Sequence, residues 1–213
     1  MTGNQIGGLP VTGRKSASVL RTRLAIVLAA QKVFAGQGSL ASIEDIAAQA
    51  EVSVSTLYKH FANKNDLVTE AFTNAMKSWE SWVFENMALE TDLMSQLVLP
   101  MRLFVRAGKT HPVFAALVAN NANEANLRLG TLGATVLQNL KVLRSTGVLN
   151  IDNLELRSEL LLSLLVHILQ KTVLDSKFTA KSADQAIAFA LQVLGIDAAE
   201  SERLVEADIP FSL

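Results

Sequence analysis

The chain has 213 residues, half of them apolar and 18% charged, with a formal net charge of −1. That is enough to bury a sizeable core, either as one large domain or as a small domain joined to a larger one. The absence of cysteine excludes disulfides and thiolate metal sites, and the longest apolar stretch, residues 160–169, is broken by Ser163 and His167 and falls short of the roughly 18 residues that a membrane span needs.

In chain order, residues 1–18 hold Gly3, Gly7, Gly8, Pro10 and Gly13 and are expected to form a flexible arm. They lack the apolar core of a secretory signal, so a cytoplasmic protein is expected. From Leu20 to Ala35 the apolar positions Leu24, Val27, Leu28 and Phe34 recur at helical spacing, and Gly36 and Gly38 supply the stop. Ser42 followed by Asp45 has capping-box spacing, with Ile43, Ile46, Ala47 and Ala50 as the inner face of a short second helix ending near Gln49. Ser53 caps a third helix through His60, and Asn63 with Asp66 caps a fourth, longer one that runs past Trp79 and Trp82 toward Met87. Further helical segments are predicted near 93–108, 112–122, 125–145, 153–174 and 183–195, the last capped by Ser182 with Gln185. Pro100 interrupts or starts one of them, and Pro112 suits a first turn. No stretch alternates as a strand does, so the fold class is all-α, divided as an arm over 1–18, a small module over 19–66 and a larger helical body over 67–213.

Charge is distributed unevenly along this plan. Residues 1–64 carry seven basic side chains against three acidic ones, while the remainder carries twelve against seventeen. A small cationic module on an acidic body is the pattern of a head that faces a polyanion.

The stretch VSVSTLYKHFANKNDL, residues 52–67, concentrates this character. On a helix that starts after Ser53, Leu57 and Phe61 share one face, while Ser55 and Lys59 share another that also holds Tyr58. One face packs, and the other is small, hydroxylated and cationic. In a helix-turn-helix the second helix lies in the major groove and the first crosses the backbone, a plan that Ser42 to His60 fits. Short capped helices with apolar inner faces also occur in ordinary bundles, so the pattern alone leaves both readings open.

The longer string RLAIVLAAQKVFAGQGSLASIEDIAAQAEVSVSTLYKHFANKNDL, residues 23–67, resembles the DNA-binding domain of TetR-family transcriptional regulators. The likeness lies in the alanines and Phe34 of helix one, Ile46-Ala47, Val52-Ser53, Thr56-Leu57-Tyr58, His60-Phe61 and Lys64. It implies phosphate contacts at Ser42, Thr56, Tyr58 and Lys64, a helix start at Ser53 that belongs to the same DNA-binding surface, base-edge contacts at Val54, Ser55 and Lys59, and a position near the backbone for His60. Where the family has Ala-Gly before the valine, this chain has Ala50-Glu51. A side chain is therefore expected at a positive-φ turn position, at a cost of about 1 kcal/mol, together with a negative charge near the DNA side. Arg14, Lys15, Arg21 and Arg23 are candidates for additional phosphate contacts.

The resemblance further implies a homodimeric repressor that leaves a palindromic double-stranded operator when a small apolar or aromatic effector binds. Residues 155–174 and 183–194 are apolar nearly all round, so they require cover on several sides. Leu161, Leu165, Ile168, Leu169, Ile187 and Leu191 are expected at a two-fold seam, with burial inside one chain as the alternative. Trp79, Trp82, Met101, Phe104 and Phe114 are the candidate effector-binding residues, and the same inventory would suit a plain core. Histidines at 60, 111 and 167 are too dispersed for a metal pair, and no P-loop, Gly-x-Ser-x-Gly or Gly-x-Gly-x-x-Gly string is present. Neither catalysis, a metal nor a cofactor is expected. From another class, the alternative is a helical small-molecule-binding protein or enzyme whose N-terminal module docks protein rather than DNA.

Overall fold

Six polar side chains among the described residues set the starts of helices. Ser42, Ser53, Asn63, Asp92, Thr179 and Asp197 each accept a hydrogen bond from the amide three residues ahead, and so satisfy a donor that a helix start leaves free. A computed structural model of the chain describes residues 11–87, 92–122 and 130–209, and among them every regular element is a helix. In chain order these are α1 (Val11–Gln37), a 3₁₀ turn (Gly38–Leu40), α2 (Ile43–Gln49), α3 (Val54–His60), α4 (Lys64–Met87), α5 (Leu93–Val105), α6 (Ala107–Thr110), α7 (Pro112–Asn120), α8 (Gly130–Ser145), α9 (Leu154–Leu174), α10 (Ala180–Gln192) and α11 (Ala198–Glu206). None is long and apolar enough to cross a membrane.

Four of these differ from the sequence expectation. Helix α1 begins at Val11, so residues 11–18 of the expected arm are helical, and residues 1–10 lie outside the described residues. Extending an existing helix costs only propagation, not a new nucleus, so a sequence of modest propensity can follow. The cap of α10 is Thr179, not Ser182, and it places the helix start at Ala180. Helix α11 was not expected; Asp197 accepting from the Glu200 amide is the capping signal that marks it. Residues 125–129 of the expected 125–145 segment lie outside the described residues, whereas Pro100 sits inside α5 and Pro112 in the first turn of α7.

Helices α1 to α3 and the start of α4 form a head around Ile26, Ala30, Ile46, Leu57 and Leu67, all fully buried. In the body α9 packs against α5, α7, α8 and α10 over Phe104, Leu117, Leu161 and Leu169. Helix α1 packs on α7 as well as on α2 and α4, so one continuous apolar cluster runs through head and body. Polar ties reinforce the junction. Gln31 Nε2 donates to the Ala71 carbonyl and to Asn74 Oδ1, and Asn120 and Asn121 at the end of α7 donate to the carbonyls of Ala35 and Phe34.

Candidate nucleic-acid interface

The α2–turn–α3 unit is built from local hydrogen bonds. Ser42 and Asp45 form a reciprocal capping box: the Asp45 amide donates to Ser42 Oγ at 3.0 Å and the Ser42 amide to Asp45 Oδ2 at 3.2 Å. The Ser42 hydroxyl, which donates to Asp45 Oδ2 at 2.6 Å, and then the Ser42 amide hold the Asp45 carboxyl below its ordinary value. At the other end of α2 the Val52 amide reaches back to the Ala47 carbonyl and the Glu51 amide to that of Ala48. This is the paired closure of a Schellman motif, in which the residue after the C-cap must be left-handed. Glu51 occupies that place with φ +56°, as the comparison with Ala-Gly led one to expect. Val52 then packs against the core, which fixes the angle at which the chain enters α3.

Helix α3 is held from behind. Leu57 is fully buried and Phe61, its C-cap, nearly so. The Arg23 guanidinium lies 4.1 Å from the centre of the Phe61 ring, donates to the His60 carbonyl and pairs with Glu70 of α4. One arginine thus ties α1, α3 and α4 together, so Arg23 is a strut of the head and not a spare cation for phosphate. Lys64 also turns inward: its Nζ donates to the Ala41 carbonyl at 2.6 Å and lies 5.8 Å from the Phe34 ring centre.

The outer face of α3 follows from this packing. Ser53, Ser55, Tyr58 and Lys59 are exposed, and Val54, Thr56 and His60 are half-buried, as are Ser42 and Lys64. Ser53 Oγ accepts from the Thr56 amide at 3.1 Å and lies 2.9 Å from both Ser55 Oγ and Thr56 Oγ1. Seven of the nine sequence-predicted residues belong to α3 or its cap, Ser42 caps α2, and Lys64, the first residue of α4, has its charged end spent on the protein. The outer face of α3 carries hydroxyls, an aromatic edge and a cation, with no carboxylate on α3 itself; Glu51 is the acidic group next to it.

The structure also places the predicted effector and interface residues. Trp79, Phe104 and Phe114 pack on one another at centroid distances of 5.4 to 5.9 Å, and Met101 is also buried; Trp82 packs against His111. Cavities of about 100 and 420 Å³ are present among the described residues, and none of the five predicted effector residues lines either of these two. The larger opens one residue along the same helices, at Val105 and Ala115. Leu161, Leu165, Ile168, Leu169, Ile187 and Leu191 all face the chain's own core. A helix apolar nearly all round gives no periodic signal to tell its inner from its outer face. The exposed apolar side chains of α9 and α10 are Leu156, Leu160, Leu164, Leu174 and Phe189.

Residues 26–71 match the family model of "Bacterial regulatory proteins, tetR family". The structure of RolR in complex with resorcinol aligns over 92% of this chain and 98% of its own, at 19% identity and a TM-score of 0.75. The fatty acid degradation regulator FadR from Bacillus halodurans aligns over 80% and 97% at 20% identity, TM-score 0.64. NalD, the secondary repressor of the MexAB-OprM multidrug efflux pump in Pseudomonas aeruginosa, aligns over 83% and 97% at 19% identity, TM-score 0.60. At such identities the likeness shows a shared fold. Among curated proteins no match is found.

Proposed function

We infer that this chain, whose residues 26–71 match the model of the tetR family of bacterial regulatory proteins, is a DNA-binding transcription regulator, and that it is a homodimeric repressor released from a palindromic operator by a small effector. The observation that carries the DNA reading is the outer face of α3. An α-helix is about 10 to 12 Å across with its side chains, a size that a major groove about 12 Å wide admits, and the seven residues of α3 form such a helix. Lys59 and Ser55 then meet base edges, lysine favouring guanine O6 and N7, and Val54 meets a thymine methyl. Ser42, Ser53, Thr56, Tyr58 and His60 set register on phosphates. Lys64 acts indirectly, by holding the loop before α2 at the Ala41 carbonyl.

Dimerisation is supported by the outer faces of α9 and α10. Leu156, Leu160 and Leu164 recur every fourth residue and are 56, 47 and 37% exposed, and Phe189 on α10 is 70% exposed. Apolar area of this kind gains about 25 cal/mol per Å² when covered, and a second copy offers the matching stripe. Two heads then address half-sites about one helical turn apart. The effector reading is supported by the continuous core from body to head and by the neighbour in fold that was solved with resorcinol, a small aromatic molecule. An effector acts only if it binds the two states with different affinity. The setting consistent with all of this is the cytoplasm.

Fluorescence anisotropy of a labelled duplex with the full chain, repeated across a salt series, tests the DNA reading. Binding at low salt whose logarithm falls linearly with that of salt concentration is expected. Absent or salt-independent binding would contradict it.

A further inference from the structure

The cavity of about 420 Å³ lies where the end of α5, α6, the start of α7, the last turns of α9 and the start of α10 meet. Its walls are mostly apolar, with two cations, Arg106 and Lys109, among them. A volume of this size is in the range of small-molecule sites, which pair apolar walls with a few polar groups that fix orientation.

Arg106 shares the carboxylate of Asp184 with Arg102, which lines the smaller cavity together with Asp92 and Asp208. The Arg106 side chain is only 9% exposed, so poor solvation strengthens its pull on an anion. Arg102 also donates to the Ala207 carbonyl. Arg106 gives one hydrogen to the Arg102 carbonyl and others to the Ala180 carbonyl and Asp184. A guanidinium has five N–H donors, so its Nε–H and one Nη1 hydrogen are left over. Lys109, exposed on α6, has no ion pair among the described residues.

We propose that this cavity binds a small organic anion with an apolar body, its carboxylate held by Arg106 and Lys109 and its ring or hydrocarbon laid against Val105, Ala115, Val173 and Phe178. The proposal deepens the reading of the chain as an effector-responsive regulator and rests on it for its consequence. Helix α7 supplies the link. Its first turns, at Pro112 and Ala115, line the cavity, and its last residues grip the Ala35 and Phe34 carbonyls at the end of α1. An occupant that displaces the start of this nine-residue rod moves the helix on which the head is built.

The test is isothermal titration of the full chain with 2-naphthoate and octanoate, beside the uncharged 2-naphthamide and octanamide. The acids should bind and the amides should bind at least about tenfold more weakly, since a charge-assisted hydrogen bond contributes at least that much. Lys109→Gln, on an exposed residue with no ion pair to lose, should weaken both acids several-fold with no change in the melting curve. Val173→Phe, which fills the cavity from its wall, should weaken acids and amides alike. Arg106→Gln should abolish acid binding; because it also loosens α5 from α10, the Lys109 and Val173 variants keep the test decisive should it fail to fold. Equal affinity for acid and amide, no binding of either acid at millimolar concentration, or unchanged binding by Lys109→Gln would overturn the proposal. Anisotropy on duplex DNA separates the two readings. DNA binding without acid binding removes this site alone, and acid binding by a chain that ignores DNA keeps the site and removes the regulator.

Discussion

Replacing Glu51 by glycine should make the protein more stable, although it removes a charged side chain and adds no contact. Glu51 sits at φ +56° in the turn between α2 and α3, and its side chain is exposed with no hydrogen bond or ion pair to lose. The left-handed conformation costs an L residue about 1 to 2 kcal/mol. Glycine escapes that cost but gives up about 0.5 to 1 kcal/mol through the greater freedom of its unfolded chain. The difference is a net gain of about 0.5 to 1 kcal/mol, or about 1 to 4 °C in Tm for a chain of this size. Urea unfolding followed by circular dichroism measures it as a rise in midpoint at constant slope. Glu51→Ala is the control, since it removes the same charge and keeps the strained backbone, and its midpoint should stay within a few tenths of a kcal/mol of the parent. If alanine stabilised as much as glycine, the gain would be electrostatic and the conformational reasoning would be refuted. Both variants should bind duplex DNA more tightly at low salt, because each removes the acidic group beside α3.

Asn121→Leu should cost about 1 to 3 kcal/mol in urea unfolding, because the Phe34 carbonyl loses a buried donor; a neutral result would mean that water satisfies this carbonyl. Leu160→Glu, on the outer face of α9, should shift the protein to monomers in analytical ultracentrifugation while its circular dichroism is kept. Leu161→Ala, one residue on but fully buried, should instead lower stability by about 2 to 5 kcal/mol, and the reverse pattern would put the dimer seam back on the buried face. Hydrogen bonds from Ser42, Ser95, Arg157 and Lys171 hold Asp45, Asp92, Asp152 and Asp175 below their ordinary 3.8. A carboxyl with a folded pKa below its unfolded one stabilises above the unfolded value, and that stability is lost as pH falls through the folded value. The urea midpoint should therefore drop steadily below about pH 4, and Asp45→Asn should remove part of the drop.

What could be read in the sequence depended on how local the cause was. The capping box at Ser42 and Asp45, the cap at Ser53 and the positive φ at Glu51 each depend on residues within a few positions of one another, and each is found in the structure. Leu161 and Leu160 could not be told apart, because α9 is apolar on all sides and only its neighbours α5, α7, α8 and α10 decide which face is inner. Lys64 read as a surface cation, since nothing near it in sequence reveals that it reaches a carbonyl 23 residues back. Trp79, Phe104 and Phe114 were legible as an aromatic set, but their mutual packing fills the space between them. A cavity of about 420 Å³ lies by Val105 and Ala115, which carry no signal of their own. Helix α11 was missed although Asp197 and Glu200 have capping spacing, because too few apolar residues follow to show a period.

Two α3 helices, presented by a two-fold body, are expected to read a duplex. Selection of random duplexes by the full chain, followed by sequencing of those retained, tests it most directly. The account predicts an inverted repeat with half-site centres about one helical turn, or a multiple of it, apart, and a changed preference at one base pair in each half when Lys59→Ala is used. Retention of no sequence above background, or of a single site without two-fold symmetry, would contradict it.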